Sequence, residues 1–180
     1  MTETNSYDPP RSPYEAQESV GTEGKQQHPS GLGGWLILVA IGLVISPLRL
    51  GAMILQIFVP VFTDGTWGIL TTPGSELYHA LWAPLLIFEL LGNLGFIVAY
   101  IVLAILFFRK SRFFPKTYIT IAVLNLFFIF LDAWLGSLVL QDEPMFDPET
   151  AREIGRSLVA FAVWVPYMVV SKRVENTFVS

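Results

Sequence analysis

Four long apolar stretches leave this chain few folds to choose from: Trp35 to about Phe62, Leu81 to Phe108, Tyr118 to Leu140, and a last one that ends near Ser171. A helix rises 1.5 Å per residue and a hydrocarbon core is roughly 30 Å thick, so about 20 residues cross it. The first three stretches meet that length. The fourth is too short if it begins at Ser157, but Asp147-Pro148 supplies a start signal, an Asp N-cap followed by Pro at the first helical position. A helix from Pro148 crosses, and it carries Arg152 and Arg156 in its first turns. The expected fold is all-α, a membrane-embedded bundle of four transmembrane helices with spans about 35–62, 81–108, 117–140 and 148–171 in a domain of residues 34–180. Pro47 and Pro166 are expected to kink their helices, since each removes a backbone donor and crowds the preceding turn. A re-entrant hairpin broken at Ser46-Pro47 is the alternative for the first span, although each half would be too short to cross.

Composition agrees with a lipid-embedded class, because 53% of the 180 residues are hydrophobic and only 14% are charged. Residues 1–33 differ: polar, rich in Pro, Ser, Gln, Glu and Gly, and without a hydrophobic run. Such a segment buries too little apolar surface to offset chain entropy, so it is expected to be a disordered cytoplasmic tail. The apolar segment after it is longer than the 7–15 residues of a signal-peptide core, so the first helix reads as an uncleaved anchor. With no cysteine in the chain, disulfides, thiolate metal sites and cysteine nucleophiles are excluded together. The net charge of −4 comes largely from the tail and two loops, and no basic, aromatic-interleaved face exists to bind nucleic acid.

Orientation is set by basic residues in short loops. The connection after the second span holds Arg109, Lys110, Arg112 and Lys116 and no acid, and Lys172 and Arg173 open the C-terminal segment; these sides are expected in the cytoplasm. The other two connections contain Asp64, Glu76, Asp142, Glu143 and Asp147 with no Lys or Arg, so they face outward. Trp35 and Tyr118 suit the inner interface, and Trp67, Tyr78, Trp82 and Trp134 the outer one. The predicted topology crosses the membrane several times, with both termini cytoplasmic.

Each span carries one residue that lipid disfavours: Arg49, Glu89, Asp132 and Arg156. Insertion scales put such a residue at about 2.5–3.5 kcal/mol at a helix centre, so four of them need a reason. Counted from the cytoplasmic ends at 1.5 Å per residue, they lie roughly 20 to 28 Å deep, all in the outer half. Two are positive and two negative. Each lies on a polar or small-residue stripe at helical spacing, with Ser46 beside Arg49, Asn93 beside Glu89 and Asn125 beside Asp132, so the stripes are expected to face one another. The preferred reading is two interhelical ion pairs that fix helix register; the sharper one is a shallow polar pocket, open outward, that binds a small ligand or relays a proton through Glu89 or Asp132. Asn93 and Asn125 read as interhelical hydrogen bonders.

Weaker signals add little. Glu76 and His79 sit three apart with Asp64 upstream, but one Glu-x-x-His arises easily by chance, and an interfacial His beside Trp82 is the simpler account; His28 lies in the tail. Gly31, Gly33 and Gly34 precede a span and read as a hinge, not a phosphate cradle. Ser46 and Ser137 have no histidine at their depth, so no nucleophile–base pair can be built. No catalytic residue, metal ligand or cofactor is expected, and the chain is not expected to be an enzyme.

With the spans laid out, GGWLILVAIGLVISPLRL in the first, LWAPLLIFELLGN opening the second and RSLVAFAVWVPYMVVSKRVENTF at the end resemble a bacterial family of small membrane proteins catalogued as domain of unknown function 2569. The resemblance covers Gly33 to Val179 and implies a four-helix inner-membrane protein; it brings no activity. The leading expectation is a non-enzymatic accessory or structural protein of the lipid bilayer that associates with another membrane protein or with itself. Gly95-x-x-x-Ala99 offers a small-residue face for such contact. The alternative is a carrier or binding protein for a small ligand or proton that uses the charged cluster.

Overall fold

The computed structural model describes residues 31–140 and 144–179. Most of the tail and two of the expected outer acids, Asp142 and Glu143, lie outside the described residues. Six helices make up the described chain: α1 (Trp35–Thr63), α2 (Thr66–Thr71), α3 (Trp82–Phe108), α4 (Phe114–Val139), α5 (Pro148–Val170) and α6 (Lys172–Thr177). Among the described residues there is no strand. α1, α3, α4 and α5 are each long and apolar enough to cross a membrane.

α1 runs unbroken through Pro47 and Pro60, so the hairpin at Ser46-Pro47 does not form. Its 29 residues extend about 43 Å, well beyond the roughly 30 Å of a hydrocarbon core, so the helix must tilt or project into the headgroups. Asp147 caps α5 as its sequence suggests: its Oδ1 accepts the amides of Glu149 and Thr150 at 2.7 Å each. Those amides would otherwise be orphans at the helix start. α4 begins at Phe114, with Pro115 in its first turn, a few residues before the expected start. α3 ends in a Schellman arrangement, where Ser111 donates to the Leu106 carbonyl (2.9 Å) and Lys110 to that of Phe107 (3.0 Å). The left-handed position falls on Lys110, at φ +52°, where glycine is usual.

α1 packs on α3, α3 on α4 and α4 on α5, in a row; the first and last spans do not pack along their length. They meet at one end only, where Trp35 and Trp164 set their rings edge to face at 6.3 Å. A single buried cluster holds that end together: Leu36, Val39 and Leu43 of α1, Leu103 and Phe107 of α3, Phe114 of α4, Met168 of α5, and Val174 and Phe178 beyond it. Because it gathers the starts of α1 and α4 with the ends of α3 and α5, the four long helices alternate in direction. This closed end is also where the residues just before α1 meet α6. The Thr177 hydroxyl accepts the Gly31 amide (2.9 Å) and donates to the Gly31 carbonyl (3.3 Å). A Cβ on Gly33 would lie 2.8 Å from an Arg173 guanidinium nitrogen, so only glycine lets Arg173 lie there.

At the opposite, open end, α2 and an irregular stretch join α1 to α3. Trp67 packs tilted against Phe62, with ring centres 5.1 Å apart, folding α2 back against the end of α1.

Candidate functional site

The seam between α1 and α5 opens into a cavity whose back wall is α3 and α4. Its larger lobe, about 520 Å³, takes Arg49 from α1, Glu89 and Asn93 from α3, Asn125 and Asp132 from α4, and Arg152, Glu153 and Arg156 from α5. A smaller lobe of about 240 Å³ shares Arg49, Asn125, Glu153 and Arg156 with it and is lined further by Ser46, Tyr100, Tyr118 and Ser157. All seven residues singled out in the sequence therefore line these two adjoining lobes: Arg49, Glu89, Asp132 and Arg156, with Ser46, Asn93 and Asn125.

The charges line that space without closing into pairs. Among the described residues no Lys or Arg nitrogen lies within 4.0 Å of a carboxylate oxygen, so the expected direct ion pairs are not formed. The reason is the open seam. Arg49 and Arg156 sit on the two helices that do not pack together, and both are exposed, whereas Glu89 and Asp132 sit half-buried on the helices behind them. Asn93 is buried, at 6% exposure. The Oδ1 of Asp132 is buried with no hydrogen-bond partner, which is costly for any carboxylate oxygen.

Four charged contributors, Asp147, Glu149, Arg152 and Glu153, are missing from the cluster expected on sequence grounds. Glu153 lies three residues before Arg156, one helical turn away on the same face, and lines both lobes; Arg152, expected only in the first turns of the span, lines the larger one. Their signal is the dense run Arg152, Glu153, Arg156 at the start of a span, which reads from sequence as an interfacial helix end.

Toward the closed end the cavity becomes less polar. Tyr118 points inward and packs against Phe114 at 5.9 Å between ring centres, rather than standing at the interface. Below it Phe107, Phe114 and Leu36, at 0% exposure each, leave no passage. The space is a blind vestibule.

Elsewhere the weak signals take ordinary structural roles. Asp64 accepts the Thr66 amide at 3.0 Å, and hydrogen bonding by Thr66, side chain first and then amide, holds its carboxyl below the usual range. His79 accepts the Leu81 amide through Nδ1 at 3.2 Å. Among the described residues no group of three or more potential ligands is placed to hold a metal ion. Gly95 is exposed with open space beside it, so the bundle itself does not cover the Gly95–Ala99 face.

A row of four apolar spans around a blind, charged vestibule defines a multi-pass α-helical membrane protein. Within that class the chain belongs to the family described as Protein of unknown function (DUF2569), whose model matches residues 29–179. Comparison with curated proteins and with solved structures gives no match.

Proposed function

We propose that this protein is a non-enzymatic membrane protein that receives a small charged ligand in the vestibule between its helices, with the open end facing out of a bacterial cell and both termini in the cytoplasm. The observation that carries the reading is the unpaired state of the cluster. Charges kept only to fix helix register would be expected to meet, since an interhelical pair in lipid gains most at contact distance. Here three arginines and five carboxylates, Glu89, Asp132, Asp147, Glu149 and Glu153, surround several hundred cubic ångströms of space. Asp132, whose buried Oδ1 has no hydrogen-bond partner, lines the same space. A proton relay across the membrane fits less well, because the apolar cluster at the closed end interrupts any polar path. The small acid-free loop of Arg109 to Lys116 supports the orientation.

Because the chain has no cysteine of its own, single-cysteine variants test this directly. Ser157→Cys, inside the cavity, should react with a membrane-impermeant maleimide added to intact cells, while Val39→Cys in the closed end should not. Glu89→Gln and Asp132→Asn should keep the folded yield of the parent. Loss of folding in both acid variants, with Ser157→Cys unreactive, would instead support the reading of the cluster as a register-fixing element of an accessory protein.

A further inference from the structure

Two of the described residues are polar and buried, Thr177 and Asn93, and only the first has its hydrogen bonds made inside the chain. Asn93 lines the larger lobe of the vestibule. An asparagine at this depth is usually an interhelical hydrogen bonder. Here, among the described residues, its side-chain amide bonds to nothing. Nor is that amide sealed in, because the one fully enclosed polar side-chain atom without a partner is the Oδ1 of Asp132. Its donors and acceptor therefore open on the cavity. Asn125 of α4, half-buried and lining both lobes, is likewise without a side-chain hydrogen bond among the described residues. The back wall thus offers two unbonded carboxamides, and a buried group left in that state costs stability unless a partner arrives.

Charges of both signs surround these amides without being sorted by helix or by depth. Arg49, Glu153 and Arg156 line both lobes, and Glu89 stands one helical turn from Asn93 on α3. An anion in this space would be repelled by five carboxylates and a cation by three arginines. A molecule that carries one charge of each sign finds a counter-charge for both. Resting on the vestibule reading, we infer that Asn93 and Asn125 contact the ligand, and that the ligand is a small zwitterion with an uncharged hydrogen-bonding side group, the chemistry of a polar α-amino acid. A carboxamide or hydroxyl on that side group both donates and accepts, as the two asparagines do. An apolar side group of the same shape would leave the Asn93 amide buried and unsatisfied.

Calorimetric titration of the full chain in mild detergent with free asparagine and with leucine tests this, since the two are alike in charge and branching and differ in the carboxamide. Asparagine should bind about tenfold or more tightly than leucine, the difference expected when a buried amide is left without its partner. N-acetylasparagine, which lacks the ammonium, and asparagine amide, which lacks the carboxylate, should each bind about tenfold or more weakly than asparagine. Asn93→Leu should bring asparagine and leucine to within about twofold of each other, whereas Arg109→Gln, outside the cavity, should leave the preference intact. Without ligand, Asn93→Leu should melt at or above the temperature of the parent, because it removes no interhelical bond; melting well below it would return Asn93 to a purely structural role and overturn the inference. Equal binding of asparagine and leucine by the parent would overturn it without recourse to any variant. Undiminished binding of either singly charged analogue would overturn the zwitterion. If Ser157→Cys is labelled from outside and none of these probes binds, the ligand class is wrong and the vestibule stands.

Discussion

Gly92 is the residue at which the helix packing leaves least room. A Cβ there would run into the Phe128 ring of α4, and that ring cannot swing away freely, because Phe88 stacks on it at 5.1 Å and Phe96 meets it edge-on at 5.3 Å. Gly92→Ala is therefore expected to destabilise the bundle by about 1–3 kcal/mol, the usual range for forcing extra volume into a packed site. Gly95→Ala, with open space around it, should be close to neutral. Thermal unfolding of the two variants in the same detergent checks the contrast. Asp147 makes a pH-dependent prediction. The amides of Thr150 and Glu149 hold its carboxyl below the usual range. A depressed folded-state value means that the stabilisation is fully present above the unfolded value of about 3.9 and is lost as pH falls through the folded one. Amide exchange at Glu149 and Thr150, corrected for intrinsic rates, should show the start of α5 loosening across that acid range. Asp147→Asn, which keeps a capping oxygen but has no proton to take up, should remove the dependence.

At the scale of elements, the spans were legible because length and apolar content alone decide whether a helix can cross, and Asp147-Pro148 marked the hardest start. The segment beyond Ser171 was not legible. KRVENT reads as a basic exit loop, yet it forms α6, whose Val174 and Thr177 are buried, with Phe178 just beyond. Their spacing, three and then one, is that of a helix face, but six residues give too short a pattern to outweigh the charges around it. Phe178 stacks on Phe114 at 4.6 Å and leans on Phe107 at 5.7 Å, so the cluster draws on five helices and the segment after the last. Phe107→Ala should cost about 3–5 kcal/mol in an unfolding titration, as a fully buried aromatic truncated to a methyl does. The charge cluster was half legible. Helical spacing placed Arg49, Glu89, Asp132 and Arg156 on facing stripes, but spacing along single helices says nothing about how far apart two helices stand. The open seam between α1 and α5 decides that the four groups surround space instead of touching.

Considered whole, the molecule has one tight end and one loose end. The tight end holds the buried aromatic residues, Gly31 to Gly34, the segment after α5 and the loop of Arg109, Lys110, Arg112 and Lys116; the loose end holds the vestibule and α2. Reporter fusions at residue 112 and after residue 179 should both report the cytoplasm, and a fusion at Gly74 the other side, if the basic residues set the orientation. Fusions placing residue 112 outside the cell would reverse the vestibule and sink its exposure to external ligands.

The bond between Thr177 and Gly31 also bears on how the protein is made. Residues that lie 146 apart must find each other after the final span has entered the bilayer. Until then Phe107 and Phe114 lack the ring that covers them, and the closed end of the bundle stays ajar. Closure is thus a late event in biogenesis, and a newly inserted chain halted near Ser171 would present a bare aromatic surface to chaperones and proteases on that side.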